Sequence, residues 1–528
     1  MSASGNQTVA VIGLGAIGLV TMKNLAEEGF EVTGFDRNSY LGGLWNYDEG
    51  VKISVLETTR SNGSKFRGCF TDFPFPDMAE IFPPAHEVAQ YLSAYAEHFN
   101  LGPMARLNTS VHGAAFDEAS QKWRIQVSEK DGQRTEEVFD KVVFCMGADQ
   151  IPNIPKIEGI EKFKGEMTHS IGFKKPNEYD GKRVLVVGFG NTAVDIATEL
   201  SKNARKVYLS HRHGSIILPR WVNGKPVDHV RTYRKYQMLN FLARWTPSLW
   251  ETVMDSFIKN LMNKLYDLKP EWRFEPAPSV LASRPIVNDE LINCLTDGTV
   301  ISINGLSKVI DDYTVELEDG TQLKVDSIIF ATGYTLNYSI VGDSDPTRKS
   351  TRQWANLPGS NNRHLPRLYQ NIFSVDHPES LAFMGSLSFM NPAFLMFDLA
   401  SMALTQLWKG NSQFPPREEM EQAVDRHHEW MCSLAAKGSV SPGAVKGVDF
   451  SEWVDEVAGI GLREKLGYGF QGWWFWLKDR EFCNVLMDGL LSPHVYRVFS
   501  GNKRQHWEGA RDELLKINEE LKTKNWLP

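Results

Sequence analysis

Two glycine fingerprints constrain this chain most, because each directly follows a hydrophobic strand pattern and opens a helical one. The first is Gly13-Leu14-Gly15-Ala16-Ile17-Gly18, and the second is Gly188-Phe189-Gly190-Asn191-Thr192-Ala193. In such a turn the glycines allow a tight bend and a close approach of the backbone to a pyrophosphate, whose charge the helix N-terminus stabilises. The sequence therefore predicts two dinucleotide sites, with these cofactor-binding residues: Gly13, Gly15, Gly18, Gly188, Gly190, Asn191 and Thr192.

The two sites differ at the end of the strand that follows each helix. Asp36 ends the first of these strands, where its carboxylate can accept hydrogen bonds from ribose hydroxyls, which suits FAD or NAD. The corresponding position of the second site is His211, in a strand without acids and beside Arg212. A guanidinium suits a 2′-phosphate, so this site is predicted to bind NADP through Ser210 and Arg212. Ordinary turns would explain the glycines but not the matched strand ends, although Arg212 by itself is also compatible with a solvated cation.

Composition argues against several classes of function. The 528 residues carry a formal net charge of −8 without long runs of one sign, which argues against a nucleic-acid partner. The five cysteines are scattered, and no two of them form a CxxC pair. This favours a reducing compartment and argues against a disulfide framework, a cysteine zinc site and a dithiol reductase. No metal site is predicted, since the pairs His211/His213 and His427-His428 have no identifiable acid or cysteine partners.

No targeting or membrane-spanning segment is expected. A strand pattern begins by Thr8 without a preceding signal-peptide pattern, and the stretch Leu514 to Pro528 is rich in Lys and Glu. The apolar region Leu381 to Trp408 is long enough to cross a bilayer, but Pro392 and Asp398 interrupt it. It is predicted to be a buried strand and a helix that begins near Pro392. We therefore expect a soluble, cytoplasmic protein, with peripheral attachment to a membrane as an open alternative.

The predicted fold is α/β, with two Rossmann-like, three-layer dinucleotide-binding domains, of which the NADP-binding domain is inserted in the FAD-binding domain. We expect the first part of the FAD-binding domain at 1–172 and the NADP-binding domain at 173–335. Residues 336–528 would complete the FAD-binding domain and add a substrate-side region. The first sheet is expected to be parallel, with helices on both faces and a smaller antiparallel piece. Three aromatic residues near the end of the chain are assigned to the core: Trp473, Trp474 and Trp476.

Residues 220–300 are an insertion that a minimal nucleotide domain does not need. Apolar residues from Leu249 to Tyr266 recur at helical spacing after the start signal Thr246-Pro247 and before Pro270. They predict one amphipathic helix. Its apolar stripe could pack on the body of the protein, line a substrate channel or rest on a membrane surface, and we favour packing.

Several motifs resemble those of the flavin-containing monooxygenases. Residues 163–173, FKGEMTHSIGF, fit FxGxxxHxxxF, the signature of that family. Three other passages agree: Gly42-Gly43-Leu44-Trp45, Ser61-Asn62-Gly63-Ser64-Lys65 ahead of Asp72-Phe73-Pro74-Phe75-Pro76, and Phe330-Ala331-Thr332-Gly333-Tyr334. The resemblance covers nearly the whole chain, out to Ser492-Pro493-His494 and Gly509-Ala510-Arg511. Liver-type members of the family carry a hydrophobic membrane tail. This sequence shows no such tail, so we expect it to resemble a soluble relative.

The resemblance implies an NADPH- and O2-dependent enzyme that oxygenates nitrogen or sulfur. FAD reduced by NADPH would form a C4a-hydroperoxyflavin with dioxygen, and an amine, sulfide or thiol would attack its distal oxygen. By resemblance, Asn62 is the catalytic side chain above the flavin, with Ser61 beside it, and Leu44 and Trp45 pack against the flavin. Without the resemblance, Asn62 would be interpreted as a turn residue. His169 of the signature is interpreted as a domain-linking residue, and a homodimer is a family-level expectation.

Other flavin chemistries stay open. Baeyer-Villiger monooxygenases resemble this family, but their signature ends in a Trp-Pro pair where this chain has Phe173-Lys174. They also prefer threonine at the position of Leu44. An N-hydroxylating monooxygenase, an NADPH-dependent reductase or oxidase, and a nucleotide-binding protein without turnover are the remaining alternatives. The motifs favour heteroatom oxygenation.

Overall fold

The computed structural model describes residues 6–50, 52–130, 132–388, 392–501 and 503–523. Its strands, in chain order, are β1 Thr8–Ile12, β2 Glu31–Phe35, β3 Ala105–Arg106, β4 Ser110–Asp117, β5 Lys122–Ser128, β6 Arg134–Phe139, β7 Lys141–Phe144, β8 Ile151–Pro152, β9 Glu166–His169, β10 Arg183–Val187, β11 Lys206–Ser210, β12 Ile217–Leu218, β13 Trp221–Val222, β14 Lys225–Pro226, β15 Ile286–Val287, β16 Val300–Ile303, β17 Leu306–Val309, β18 Thr314–Leu317, β19 Gln322–Lys324, β20 Ser327–Phe330, β21 Tyr334–Thr335 and β22 Leu381–Phe383.

Fourteen α-helices accompany these strands in the described residues. In chain order they are α1 Ala16–Glu27, α2 Ala85–His98, α3 Asn191–Leu200, α4 Tyr233–Trp245, α5 Pro247–Leu265, α6 Leu291–Thr296, α7 Arg352–Ala355, α8 Ala393–Lys409, α9 Arg417–Ala435, α10 Gly447–Val457, α11 Leu462–Lys465, α12 Phe470–Lys478, α13 Arg480–Asp488 and α14 Ala510–Thr523.

The first sheet is parallel and has the strand order β22-β7-β1-β2-β3. Its edge strand β22 comes from the last third of the chain, so the polypeptide returns to complete this sheet after building the second unit. The predicted strand and helix in the apolar region are confirmed as β22 and α8. The predicted α/β fold, with one nucleotide unit inserted in the other, is therefore confirmed.

The faces of the first sheet differ from the prediction of helices on both sides. Val9 and Val11 point into a core shared with α1, α2 and α8, whereas Ala10 and Ile12 point into a core shared with Trp123 of β5. The antiparallel sheet β4-β5-β6 therefore covers the second face. The three layers are one of helices and two of strands.

The second sheet is also parallel, with the order β16-β11-β10-β20-β9. It repeats the first architecture, because α3 and α6 pack on one face and the antiparallel sheet β17-β18-β19 packs on the other. Strand β9, which carries His169, belongs to this sheet, so the second unit begins before residue 173. The short antiparallel pair of β8 and β21 joins the two segments in which the chain passes from one unit to the other.

The insertion contains the predicted amphipathic helix as α5, and a second helix, α4, precedes it. Met262 of α5 is fully buried, in agreement with packing, but other apolar side chains of the pair stay exposed. Trp245 is 71% exposed and Leu249 is 59% exposed. The pair therefore packs through one side and presents an apolar face on the other.

The assignment of the late tryptophans to the core is wrong for two of them. Trp473 is 55% exposed and Trp474 is 60% exposed, whereas Trp476 is partly buried against the first core. The glycine-preceded helix α12 is short, and its aromatic residues are too closely spaced for all to face inward. Among the described residues, no helix combines the length and apolar character needed to span a bilayer.

A buried ionic network ties α1, α8 and the segment after α13 to the loop that follows Asn62. The Arg497 guanidinium lies 3.0 Å from the Asp72 carboxylate and 3.7 Å from that of Asp398. The Lys23 ammonium also pairs with Asp72. Burial by itself raises the pKa of Asp72, but Arg497 and Lys23 outweigh it and lower that pKa. Each carboxylate therefore depends on its cationic partners.

Candidate active site

A large cavity of about 2920 Å³ lies between the two nucleotide units, at the carboxyl ends of the parallel strands. This is where ligands bind in open α/β sheets. The predicted site residues that line it are Gly13, Gly15, Asp36, Leu44, Trp45, Ser61, Asn62, Asn191 and Thr192. The predicted residues that do not line it are Gly18, Gly188, Gly190, Ser210 and Arg212.

The first fingerprint makes a turn that only glycine fits. Gly13 has φ +95°, and a Cβ there would lie 2.8 Å from the carbonyl oxygen of Cys145. A Cβ on Gly18 would lie 1.9 Å from the Gly13 carbonyl oxygen, so this glycine serves the helix-to-strand packing. Gly15 faces Gly43, and the two backbones leave an open cradle at the start of α1. Such a cradle fits a pyrophosphate.

Asp36 and the Leu44-Trp45 pair flank this cradle. The Asp36 carboxylate accepts hydrogen bonds from the backbone N–H groups of Leu14 and Asn38, at 2.7 and 2.8 Å, which orients it beside the turn. Trp45 ends a short 3-10 helix and packs edge-on against Phe394 of α8. The Asp36 carboxylate, as a partner for ribose hydroxyls, and the cradle, as a place for the pyrophosphate, fit FAD.

Asn62 is exposed to the cavity, and residues of the second unit hold its loop. The Arg220 guanidinium, only 7% exposed, donates to Asn62 Oδ1 at 3.0 Å and to the Ser61 carbonyl oxygen at 3.1 Å. The Asp228 carboxylate accepts from the Ser64 N–H at 2.9 Å. The loop is thus fixed between the two units.

Sequence reasoning missed Arg220 and Asp228. Arg220 lies 158 positions from Asn62, and no local periodicity or spacing relates residues so far apart. The arginine at the start of the insertion was the only available signal, and it is indistinguishable from a surface cation in the sequence.

The second fingerprint also requires glycine, since Gly188 has φ +133° and a Cβ there would lie 2.4 Å from the Ala331 carbonyl oxygen. Gly190 is open: a Cβ on it would meet no atom of the described residues within 4 Å, as a close approach of phosphate requires. Asn191 Oδ1 accepts from the Val287 N–H at 2.9 Å. Further along α3, burial raises the pKa of Asp195 to about 6, while the hydrogen bond from Asn288 and then the charge of Arg220 oppose that change. The turn fits a dinucleotide.

The predicted 2′-phosphate residues lie at the end of β11. The Ser210 hydroxyl is buried and donates to the Asn304 carbonyl oxygen at 2.9 Å. The Arg212 guanidinium is half exposed and pairs with Glu318 at 2.9 Å. His211 stacks on Phe189, and burial lowers its pKa to about 4. Of these residues, Arg212 is the one whose side chain carries a positive charge, and Glu318 is its partner.

His169 joins the signature to the turn after β20. Its Nε2 donates to the Gly333 carbonyl oxygen at 3.0 Å, and its ring lies edge-on to Tyr334. Burial lowers the pKa of His169 and thus favours the neutral imidazole. These contacts agree with a linking role. Within the described part of the chain, no cluster of three or more potential metal ligands occurs.

Comparison with known proteins places this geometry in a family. Residues 6–525 match the family described as flavin-binding monooxygenase-like. The chain belongs to that family. It is 60% identical to monooxygenase aurF of Gibberella zeae over 515 residues, covering 97% of this chain and 98% of the relative. It is 30% identical to human flavin-containing monooxygenase 3, covering 96% and 91% of the two chains.

Solved structures agree on the fold. The S-allyl-L-cysteine S-oxygenase of Allium sativum aligns with a TM-score of 0.63 at 21% identity, covering 98% of each chain. Cyclohexanone monooxygenase of Rhodococcus sp. Phi1, bound to NADP+, aligns with a TM-score of 0.58 at 17% identity, covering 86% of this chain and 98% of that one. Membership of this family confirms the prediction that the cofactors are FAD and NADP(H).

The assignment of the 2′-phosphate to Arg212 has a direct kinetic test. Arg212→Ala removes one charge-assisted contact, about 2 kcal/mol, so the Michaelis constant for NADPH should rise about thirtyfold. The constant for NADH should change little. As a matched control, Glu318→Gln frees the guanidinium and should lower the constant for NADPH. Equal effects of Arg212→Ala on both nucleotides would contradict the assignment.

Proposed function

We propose that this chain is an NADPH- and O2-dependent monooxygenase that oxygenates a nucleophilic nitrogen or sulfur of a small molecule. The observation that carries the proposal is the Asn62 amide, exposed in the cavity where the two nucleotide units meet. The signature residues Phe173-Lys174 and Leu44 favour heteroatom oxygenation over ketone oxygenation. An amine, a sulfide or a thiol is the proposed substrate, with dioxygen as co-substrate.

The residues divide the work as their positions suggest. When bound, FAD reduced by NADPH would activate dioxygen, so that one oxygen atom of O2 is transferred to the substrate and the other leaves as water. The glycine turns and Asp36 would hold the FAD, and Gly190, Asn191, Thr192 and Arg212 would hold the NADP(H). Asn62 would donate an N–H group to oxygen that carries developing negative charge in the cavity.

The walls of the cavity beyond Asn62 support water exclusion. Residues of α4, α5 and the segment before α10 contribute apolar side chains there, among them Leu239, Met254, Phe257 and Val445. An apolar enclosure limits the access of water and protons to a reactive oxygen species. Oxygen transfer without a protein nucleophile or metal needs this protection.

A coupled assay tests the function. Purified enzyme with FAD is given NADPH, oxygen and in turn N,N-dimethylaniline, thioanisole or cyclohexanone, and product is compared with NADPH used and hydrogen peroxide released. We expect N-oxide or sulfoxide as the product. When reduced enzyme with NADP+ bound is mixed with oxygen, we also expect a long-lived flavin spectrum that differs from that of oxidised flavin. Lactone as the main product would favour a Baeyer-Villiger enzyme. Stoichiometric peroxide with every substrate would favour an oxidase or reductase.

The exposed apolar face supports a further proposal on localisation. Besides Trp245, Phe241 on α4 and Leu249 on α5 present large apolar side chains to solvent, and the Phe241 and Trp245 rings lie 6.2 Å apart. Apolar side chains of this kind rest at the boundary of a lipid layer, and we propose peripheral attachment to a membrane. Co-sedimentation with neutral phosphatidylcholine vesicles tests it. A dimer that buries this face and leaves the vesicles free of protein would contradict it and support the expected homodimer instead.

A further inference from the structure

Arg220 has the chemistry to decide which way the Asn62 amide points. A guanidinium offers only donors, and its Nη2 lies 3.0 Å from Asn62 Oδ1. The flipped amide would set an NH2 group against a guanidinium NH2, donor against donor. The amide oxygen is therefore committed to Arg220, and the NH2 group is left on the other side of the amide.

Arg220 is held so that it cannot follow the amide. Its Nη1 and its backbone N–H both donate to the Asp289 carboxylate, at 2.9 and 2.8 Å. Its Nε and Nη2 donate to the carbonyl oxygens of Ser61 and Arg60, at 3.1 and 3.3 Å. A planar guanidinium with three acceptors besides Asn62, in a residue only 7% exposed, has one orientation.

The same segment that holds Arg220 is attached to the dinucleotide helix. Asn191 and Asp195 of α3 accept hydrogen bonds from the Val287 N–H and the Asn288 amide, at 2.9 and 3.1 Å. Asp289 follows directly. A continuous series of hydrogen bonds thus runs from the start of α3, through residues 287–289 and Arg220, to the Asn62 amide.

We propose that Arg220 is a positioning residue: it orients the Asn62 amide with its N–H donors toward the reacting oxygen and ties that orientation to the helix of the NADP site. This inference rests on the proposed function, but the orientation itself is independent of turnover. Arg220 touches neither the substrate nor the reacting oxygen in this assignment and acts through Asn62.

The activity arm uses holoenzyme variants and a double-mutant cycle. In Arg220→Gln, peroxide released per NADPH should rise about tenfold, whereas the rate of flavin reduction by NADPH should change much less. Arg220→Lys keeps the charge but not the fork, so its coupling should lie between wild type and Arg220→Gln. Since Arg220 acts through Asn62, the double variant Arg220→Gln/Asn62→Ala should be no more uncoupled than Asn62→Ala alone.

Arg234→Gln is the matched control, because Arg234 lies on the same insertion and pairs at the surface with Asp488. Its coupling should equal that of wild type. Unchanged coupling in Arg220→Gln, or uncoupling that adds to that of Asn62→Ala, would overturn the proposal. A loss in the rate of flavin reduction as large as the loss of coupling would also overturn it, because this would indicate that the two units are displaced and not that the amide is turned.

A neutron structure of the deuterium-exchanged protein provides the arm that needs no activity. The two amide deuterons of Asn62 should point away from Arg220 in wild type and should lose this single orientation in Arg220→Gln. The same single orientation in both proteins would overturn the proposal. If the orientation is as stated but every substrate yields only peroxide, the proposed function fails and the positioning role stands.

Discussion

Replacement of Asn62 by aspartate is expected to divert nearly all NADPH consumption to hydrogen peroxide. Aspartate has the shape of asparagine, and its carboxylate would still accept from Arg220, so the loop should keep its position. Both N–H donors are lost, however, and a negative charge replaces them. Loss of one such donor to developing negative charge costs about 10²- to 10³-fold in rate in other enzymes. Product formation should fall by a similar factor.

The measurement is product and peroxide per NADPH, with the FAD content of the variant verified by absorbance. Asn203→Asp is a matched control, because Asn203 is exposed on the turn after α3 and does not line the cavity. It should behave as wild type. An Asn62→Asp enzyme that stays coupled would remove Asn62 from its proposed role. Failure to retain FAD would show that Asn62 supports the flavin site instead.

Arg497→Met should be the most destabilising of the simple substitutions in the first unit. It leaves Asp72 with one cationic partner and Asp398 with none of its guanidinium contact, inside a fully buried cluster. Breaking a buried pair by removing one partner costs about 3–5 kcal/mol, since the remaining charge stays in a poorly solvated site. Urea unfolding of the FAD-bound protein, followed by tryptophan and flavin fluorescence, measures the change.

Arg417→Met tests whether burial is the cause. Arg417 pairs with Asp376 and Glu421, but its side chain is more than half exposed on α9. A solvated pair of this kind contributes about 0–1 kcal/mol. If the two substitutions lower the free energy of unfolding equally, the buried network does not stabilise the first unit in the way described.

The sequence predicted what depends on neighbouring residues. The turns at Gly13 and Gly188 require positive φ, which glycine adopts most readily, so the glycines located both sites without a structure. Asp36 could be placed because it ends the strand β2 that follows the turn and the helix α1. The return of the chain to the first sheet followed from the absence of a third fingerprint.

Other features depend on contacts between distant residues, which leave no periodic pattern. The covering of one sheet face by β4-β5-β6 is a matter of packing, and an apolar strand has the same pattern under a helix or a sheet. The sequence places Trp474 in the core because aromatic residues are buried on average, yet only the neighbours of α12 decide its exposure. The contact that holds Asn62 joins residues 158 positions apart.

The position of β22 has a consequence for the order of synthesis. Strands β1, β2 and β7 leave the ribosome early, but their sheet gains its last strand only when residues 381–383 emerge. By then the whole second sheet, from β9 to β20, has already been translated and is free to fold. During synthesis, the edge of the first sheet at β7 therefore stays unpaired until β22 has been translated and docks against it.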